Sequence, residues 1–99
     1  MTNVISRQVF LDDFAYITPE QIHTVLTGYY DYYDRITAIK NRNASPENID
    51  VALDDIDSYV REAAIRHPNV TIDNVNKALQ DKFYYIRDIA TEIKEQRGW

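Results

Sequence analysis

Few residues of this chain have the chemistry of an active site. The sequence contains two histidines, three serines, two glycines and no cysteine. Catalysis needs a nucleophile, a base and an orienting group that converge in a pocket. His23 and His67 have no recognisable serine or thiol partner, and the separate Gly28 and Gly98 form no Gly-rich phosphate loop. We therefore expect a protein that is not an enzyme and that binds no cofactor.

Metal ligands are equally sparse. Glu20 and His23 form a Glu-x-x-His element, which is one half of the ligand set of a di-iron site in a helical bundle, but no second copy exists. Without cysteine, a thiolate zinc site is excluded. We therefore predict no metal site. His67 precedes Pro68, and we expect it to cap the carbonyl end of its own helix, with pH sensing as the alternative role.

The strongest binding candidate is the tyrosine block over residues 29–33. If the block is helical, Tyr29 and Tyr33 share a side, but its four rings span too wide an arc for all of them to be buried. Exposed tyrosines are favoured at binding hot spots because they bring a large area and a hydroxyl at low entropy cost. The alternative is that two rings pack in the core and the others cover it.

A second aromatic cluster lies near the end of the chain, where Phe83 and Tyr84 precede Tyr85. We expect Tyr85 to face the core, like Tyr59 earlier in the chain. Phe83 and Tyr84 then remain as contact candidates. The predicted partner-binding residues are Tyr29, Tyr30, Tyr32, Phe83 and Tyr84.

Arginines recur at regular spacing as Arg35, Arg61 and Arg87, and Asp55 and Asp81 lie six residues before the last two. A guanidinium can pair with a carboxylate or with helix-end carbonyl groups of a neighbouring element. Regular recurrence favours an internal polar ladder. The alternative is a basic row that binds an acidic target, but the flanking acidic residues oppose it.

The positions of these residues follow from an internal repeat. Residues 43–49 align with residues 69–75 at a period of 26, and a more degenerate copy with one inserted residue precedes them. Such a period indicates stacked structural units. We predict a single domain. Residues 1–16 form an N-terminal cap, the three repeat units are residues 17–42, 43–68 and 69–94, and residues 95–99 are a polar tail that frays.

Each unit is predicted to contain two short helices. The first begins at a hydroxyl N-cap, Thr18, Ser45 or Thr71, and Pro19 and Pro46 occupy the first helical position. A helix pair of this length cannot bury its apolar side alone, so neighbouring units must share a core. We therefore predict an all-α fold, a short right-handed α-solenoid of about three helix-pair repeats.

The segment over residues 52–71 resembles the leucine-rich repeat variant, a HEAT-like helical repeat. This family places an Asp before the second helix, a Val-Arg pair inside it and an Asn-Pro corner after it. Here Asp55, Val60, Arg61 and the corner His67-Pro68 occupy these places. The resemblance implies an α-solenoid that offers an extended surface to a peptide or helix. The cysteine-ligated cluster of some members cannot exist in this chain.

The opening of the chain and the phrases over residues 44–49 and 66–71 resemble small proteins of T-even bacteriophages, namely the rapid-lysis-three family of cytoplasmic lysis-inhibition accessories. The resemblance implies antiholin activity in the host cytoplasm, through contact with the cytoplasmic segment of the phage holin. The alternative is a host-takeover inhibitor that binds a bacterial enzyme, RNA polymerase or a toxin.

Charge and hydropathy limit the partners further. A net charge of −5 and a pI near 4.8 argue against nucleic acid, whose nonspecific binding comes mainly from Lys and Arg. No stretch of 18 consecutive apolar residues exists, so we expect no membrane insertion. The absence of cysteine and of a secretory signal suits the cytoplasm. Exposed apolar ends of a short stack leave a homo-oligomer as an open alternative.

Overall fold

The structure is a computed structural model that describes residues 17–99. Within these residues it contains six α-helices and no strand, which confirms the predicted all-α class. The predicted cap at residues 1–16 lies outside the described residues. The helices are α1 (Pro19–Thr27), α2 (Tyr32–Ile39), α3 (Pro46–Ala52), α4 (Ser58–Ile65), α5 (Ile72–Ala78) and α6 (Tyr84–Arg97).

The three predicted N-caps are confirmed. Thr18, Ser45 and Thr71 each accept a hydrogen bond from the backbone N–H three residues later, at 3.1, 3.1 and 3.2 Å. The side chain at that later position accepts from the backbone N–H of the cap residue in return, which completes three capping boxes. These reciprocal bonds satisfy amide groups that the opening turn leaves free, so α1, α3 and α5 begin where the hydroxyls stand.

Apolar side chains form one core between two rows of helices. The helices α1, α3 and α5 contact each other in order, and α2, α4 and α6 do the same. Ile22, Ile49 and Val75 stand at corresponding positions of the first row and are fully buried. Ile86 and Ala90 of the last helix are also fully buried. The core therefore extends into the last helix, α6.

Asparagine side chains tie each helix of the first row to the one before it. The Oδ1 atom of Asn48 caps its own helix, while its Nδ2 donates to the carbonyl of Pro19 at 3.0 Å. Asn74 repeats both contacts, with Nδ2 donating to the carbonyl of Pro46 at 3.2 Å. Both asparagines are buried. Because donor and acceptor are both satisfied, these amides can enter the interior without the cost of an unpaired polar group.

The predicted arginine ladder is confirmed, with a different pairing. Arg35 Nε lies 2.8 Å from Asp55 Oδ2, and Arg61 Nε lies 2.8 Å from Asp81 Oδ2. Each carboxylate therefore comes from the following unit and not from six residues before. That earlier position supplies a backbone acceptor instead, since Arg61 Nη1 donates to the carbonyl of Asp55 at 2.8 Å. Each arginine joins its own loop to the next one.

The prediction that His67 caps its own helix is wrong, because its ring lies against the preceding corner of the chain. Its Nε2 is 2.8 Å from the carbonyl oxygen of Asn41, and its Nδ1 accepts from the N–H of Asn69 at 3.0 Å. Nδ1 is therefore the unprotonated nitrogen and Nε2–H the donor. One corner earlier, Asn41 Oδ1 accepts from the N–H of Asn43 at 2.8 Å in the same way.

The last helix extends into residues 95–99 and contacts the corner before α5. The helix α6 continues to Arg97, whose guanidinium donates to the carbonyls of Val70 and Pro68 at 3.2 and 3.3 Å. In the preceding corner, Asn69 Nδ2 donates to the carbonyls of Ala44 and Arg42. Arg97 thus takes the place that an asparagine of a following unit would hold. Gly98, at φ 68°, then ends the helix in the left-handed conformation.

Removing one arginine–aspartate pair, which we call a rung of the ladder, should destabilise the fold. Arg61→Ala leaves the buried Asp81 carboxylate without its partner, so we expect the free energy of unfolding to fall by about 3 kcal/mol. Arg66→Ala is the matched control, since Arg66 has a side chain 59% exposed and an i,i+4 pair with Glu62. The control should lose less than about 0.5 kcal/mol in urea unfolding. Equal losses would contradict the ladder.

The corner bonds of His67 can be tested by comparing two substitutions. His67→Ala leaves the N–H of Asn69 without its acceptor and removes one of the two donors to the carbonyl of Asn41, so it should cost about 2 kcal/mol of unfolding free energy. His67→Asn should cost less, because an asparagine already accepts the equivalent N–H at position 41. Urea unfolding measures both. If the two variants lose the same stability, the hydrogen bonds of the imidazole are not what stabilises this corner.

Capping by Arg97 makes a separate prediction. Arg97→Ala leaves the carbonyls of Val70 and Pro68 without their donor, so the free energy of unfolding should fall by about 1 kcal/mol. Gln96→Ala, at the exposed neighbouring position of the same helix, should change it by less than about 0.5 kcal/mol. Thermal melts of both variants and the parent provide the comparison. If the hydrogen bonds of Arg97 do not stabilise the fold, the two variants will have the same melting temperature.

Candidate protein-binding surface

A concave groove of about 420 Å³ lies between α2 and α4. Ile36, Tyr59, Ala63 and Pro68 give it an apolar character, and polar side chains stand along it. Lys40 belongs to the same wall. Within protein structures, concave apolar surfaces with a few polar groups are the usual places for ligands and partner side chains. The full lining, which we call the α2/α4 groove, is Ile36, Lys40, Tyr59, Glu62, Ala63, Arg66, His67 and Pro68.

One row of side chains on α2 and one on α4 run along the two sides of the groove. Residues three or four apart on a helix share a side. On α2 the row runs from a tyrosine in the first turn through an apolar residue to a cation just after the helix. On α4 the tyrosine and the cation recur 26 residues later and the apolar residue 27 residues later. The groove therefore has an aromatic end and a cationic end. The two rows of side chains are Tyr33, Ile36 and Lys40, and Tyr59, Ala63 and Arg66.

The cationic end differs in sign from the chain as a whole. Lys40 is exposed and makes no ion pair within residues 17–99, while Arg66 Nε lies 3.1 Å from Glu62 Oε2. Two cations therefore face one carboxylate, in a chain whose net charge is −5. A partner that brings a carboxylate to this end gains a favourable interaction.

Lys77, on the other row of helices, is already neutralised. Its Nζ lies 3.1 Å from Asp50 Oδ1 and 2.7 Å from Asp54 Oδ2. Burial lowers the pKa of Lys77, but the hydrogen bonds that its ammonium donates to Asp54 and Asp50 outweigh this effect and raise the pKa above its ordinary value. This lysine is therefore part of an acidic surface and does not extend the cationic end of the groove.

The tyrosine block does not form one helix. Tyr29 is fully exposed in the connection between α1 and α2, and Tyr30 is half-buried against the core. A Cβ at Gly28 would lie 3.1 Å from the ring of Tyr30, so the absence of a side chain there lets the ring approach. The helix α2 begins only at Tyr32, with Asp31 as its N-cap. The condition under which Tyr29 and Tyr33 would share one helical side, a helix over the whole block, is therefore not met.

Tyr32 and Tyr33 form a pair at the start of α2. Their ring centroids are 4.2 Å apart, at an interplanar angle of 30°. Tyr33 is 64% exposed and Tyr32 is 37% exposed. A hydrogen bond with Tyr33 raises the pKa of Tyr32 to about 12, so the Tyr32 phenol stays neutral at physiological pH. The pair lies one turn before Ile36 and continues the aromatic end of the α2/α4 groove.

Phe83 and Tyr84 stand at the start of α6, and both are exposed. Their ring contacts are with Tyr85, at centroid distances of 5.8 and 6.2 Å. Tyr85 itself is half-buried against the core. Within residues 17–99, no ring contact joins this cluster to the tyrosines of α2. The five predicted contact residues therefore lie in two separate places, and Tyr30 contributes only part of its surface.

The prediction that Tyr59 faces the core is wrong. Val60 and Arg61 take the buried side of α4, so the side chain of Tyr59 points into the α2/α4 groove and is 64% exposed. Sequence reasoning also missed Ile36 and Ala63 as site residues. The available signal was the recurrence of tyrosine at positions 33, 59 and 85, which marks the same surface of each second helix.

Other kinds of site find no support within residues 17–99. No group of three or more His, Asp or Glu side chains in this part of the chain could hold a metal ion. Glu20 and His23 are both exposed on α1. None of the helices in the described part has the length and apolar character that crossing a membrane requires.

Comparison of the chain with protein-family models, with curated proteins and with solved structures finds no match.

Proposed function

We propose that this protein is a non-enzymatic regulator that binds another protein through the α2/α4 groove. The observation that carries the proposal is the pairing of exposed tyrosines with an apolar, concave surface. Tyr59 lines the groove with Ile36 and Ala63 and is 64% exposed, and Tyr33, one turn before Ile36 on α2, is exposed to the same extent. Tyrosine is enriched at binding hot spots, and an apolar groove between helices suits an amphipathic helix of a partner.

We further propose that the scaffold is a short HEAT-like solenoid of three helix pairs. The recurring inter-unit contacts support this arrangement, because arginine, asparagine and corner bonds each reappear one unit later. In a solenoid the second helices line one surface, and α2 and α4 are second helices. The groove would then be a segment of the solenoid's binding surface.

The size of the groove sets what it can hold. A volume of about 420 Å³ accommodates a few side chains, whereas a specific interface buries roughly 800 Å² on each partner. The groove would therefore receive the anchor residues, and the exposed Tyr32 and Tyr33 would extend the contact. The cations Lys40 and Arg66 would orient the partner by attracting its acidic end.

The phage resemblance names one partner. In its sharpest form, the proposal is that the chain acts as a cytoplasmic antiholin accessory in lysis inhibition and receives the cytoplasmic segment of a phage holin. The rival, a host-takeover inhibitor that binds a bacterial enzyme, RNA polymerase or toxin, would use the same groove with a different anchor segment.

Site-specific photo-crosslinking tests the groove. A benzophenone amino acid at Tyr59 of the full chain, expressed in cells during phage infection, should give one dominant protein adduct. The same group at the exposed Glu47, on the other row of helices, should give none. Adding Ala63→Arg to the Tyr59 variant fills the groove and should reduce the adduct by at least about tenfold. Circular dichroism checks that helicity is retained.

Each outcome distinguishes the alternatives. A holin adduct supports the antiholin role, and an adduct with an enzyme, RNA polymerase or a toxin supports the rival role. Adducts of equal yield at Tyr59 and Glu47, or an adduct that survives Ala63→Arg, contradict binding through the α2/α4 groove.

A further inference from the structure

The arginine ladder has an open end at Arg87. Arg61 uses one side of its guanidinium for its own loop, with Nη1 donating to the carbonyl of Asp55, and the other side for the Asp81 carboxylate. Arg87 repeats only the first contact, with Nη1 donating to the carbonyl of Asp81 at 2.6 Å. No carboxylate pairs with Arg87 within residues 17–99. Its guanidinium is thus held in the ladder geometry and lacks the second partner.

The end cap of the chain does not fill this place. Arg97 covers the corner side of the last unit, at the carbonyls of Pro68 and Val70. Arg87 lies on the loop side, where it is only half-buried. Tyr84 stands one turn before it on the same side of α6 and is 70% exposed. Arginine and tyrosine are the side chains most enriched at the energetic centres of protein interfaces.

The internal rungs define the chemistry that fits Arg87. Asp55 and Asp81 each pair with an arginine through one or both carboxylate oxygens, while Oδ1 also accepts the N–H two residues later, at 2.9 Å in both cases. A helix begins three residues after each aspartate. The ladder arginines therefore receive an aspartate that sits in a tight turn just before a helix. A planar guanidinium favours such a carboxylate over an uncharged amide.

We propose that the loop side of α6 is a second binding site, centred on Arg87 and Tyr84, which receives an aspartate at the start of a helix in another protein. The partner continues the ladder by one rung. This site is separate from the α2/α4 groove and does not rest on it.

A second copy of this chain does not provide the same rung by end-to-end addition. The position of the first unit that corresponds to Asp55 is Tyr29, which has no carboxylate. Arg35 binds the carbonyl of Tyr30 in its own loop, as the ladder requires, but its aspartate comes from the following unit. The occupant of the Arg87 site is therefore a different protein with an acidic helix start.

A peptide with the internal rung sequence tests the site on the full chain. The probe is a synthetic peptide that copies residues 52–67, which contain Asp55, its turn and α4. Nuclear magnetic resonance follows the Nε–Hε signal of Arg87 during titration. We expect this signal to shift in saturable fashion, and an otherwise identical peptide with Asp55→Asn to bind at least about fivefold more weakly.

Two variants of the chain complete the experiment. Arg87→Gln should lose peptide binding, followed by the backbone signals of Tyr84 and its neighbours. Lys82→Gln removes one positive charge from the same loop and should keep the affinity within about twofold, which separates the rung from general charge attraction. Arg87→Lys keeps the charge without the planar fork and should bind more weakly than the parent. Thermal melts of the three variants check that each is folded.

Several results would overturn the proposal. These are equal affinity of the Asp and Asn peptides, unchanged binding in Arg87→Gln, and an equal loss in Lys82→Gln. Self-association is the remaining alternative. If the chain without peptide sediments as a dimer that Arg87→Gln dissociates, the occupant is a second copy and the proposal is wrong. The α2/α4 groove is unaffected by any of these outcomes, because its test uses other residues.

Discussion

Backbone carbonyl groups in the corners and loops that connect short helices are the constraint on which this structure depends. A helix of seven to nine residues cannot satisfy all of its terminal groups internally, and five of the six described helices are this short. Side chains from later in the chain bind such carbonyls: His67 and Asn69 donate to those of Asn41 and Ala44, and Arg61 donates to that of Asp55 before α4. Asn48 and Asn74 add a bond to the carbonyls of Pro19 and Pro46, in the first turn of the preceding helix of the same row. Each helix pair is thereby bound to its neighbour by polar contacts as well as by the core.

The polar contacts explain which side chains remain for binding. Asn48, Asn74, Arg61 and His67 are all used inside the fold and are buried. Tyr33 and Tyr59 at the starts of α2 and α4, and Lys40 and Arg66 just after these helices, have no such task. They stand on one surface at the spacing of the repeat. The aromatic end and the cationic end of the α2/α4 groove therefore consist of side chains that are not used in the contacts between helices.

Local signals in the sequence predicted the helix starts and the ladder well. Thr18, Ser45 and Thr71 specify caps through short-range hydrogen bonds, which depend little on tertiary context. The regular arginines indicated inter-unit contacts. Whether each arginine pairs with the aspartate before it or the one after it could not be predicted. A sequence period gives the position of a residue within the repeat, but it does not show which neighbouring segment its side chain contacts. The carboxylate that pairs with Arg61 therefore could not be named from the sequence.

The binding surface was harder to predict than the fold. Tyr59 is apolar enough for a core position, and only the packing of α4 shows that Val60 and Arg61 occupy the buried side. Arg97 presented the opposite problem. It lies among polar residues and has the composition of a fraying end, yet it replaces an asparagine through a longer side chain. When a residue of a different type makes the same contact, the sequence repeat is lost at that position and cannot indicate the contact.

The contacts between units join residues that are close along the chain. The asparagine, arginine and histidine links span 20 to 29 residues, and corners of a few residues connect the helices. Closing such short segments costs little chain entropy, so each helix pair can form against its neighbour before distant parts of the chain meet. Rapid folding by successive addition follows, and unfolding should start where a neighbour is missing on one side. Amide hydrogen exchange would then be slowest in α3 and α4, which have a helix pair on both sides.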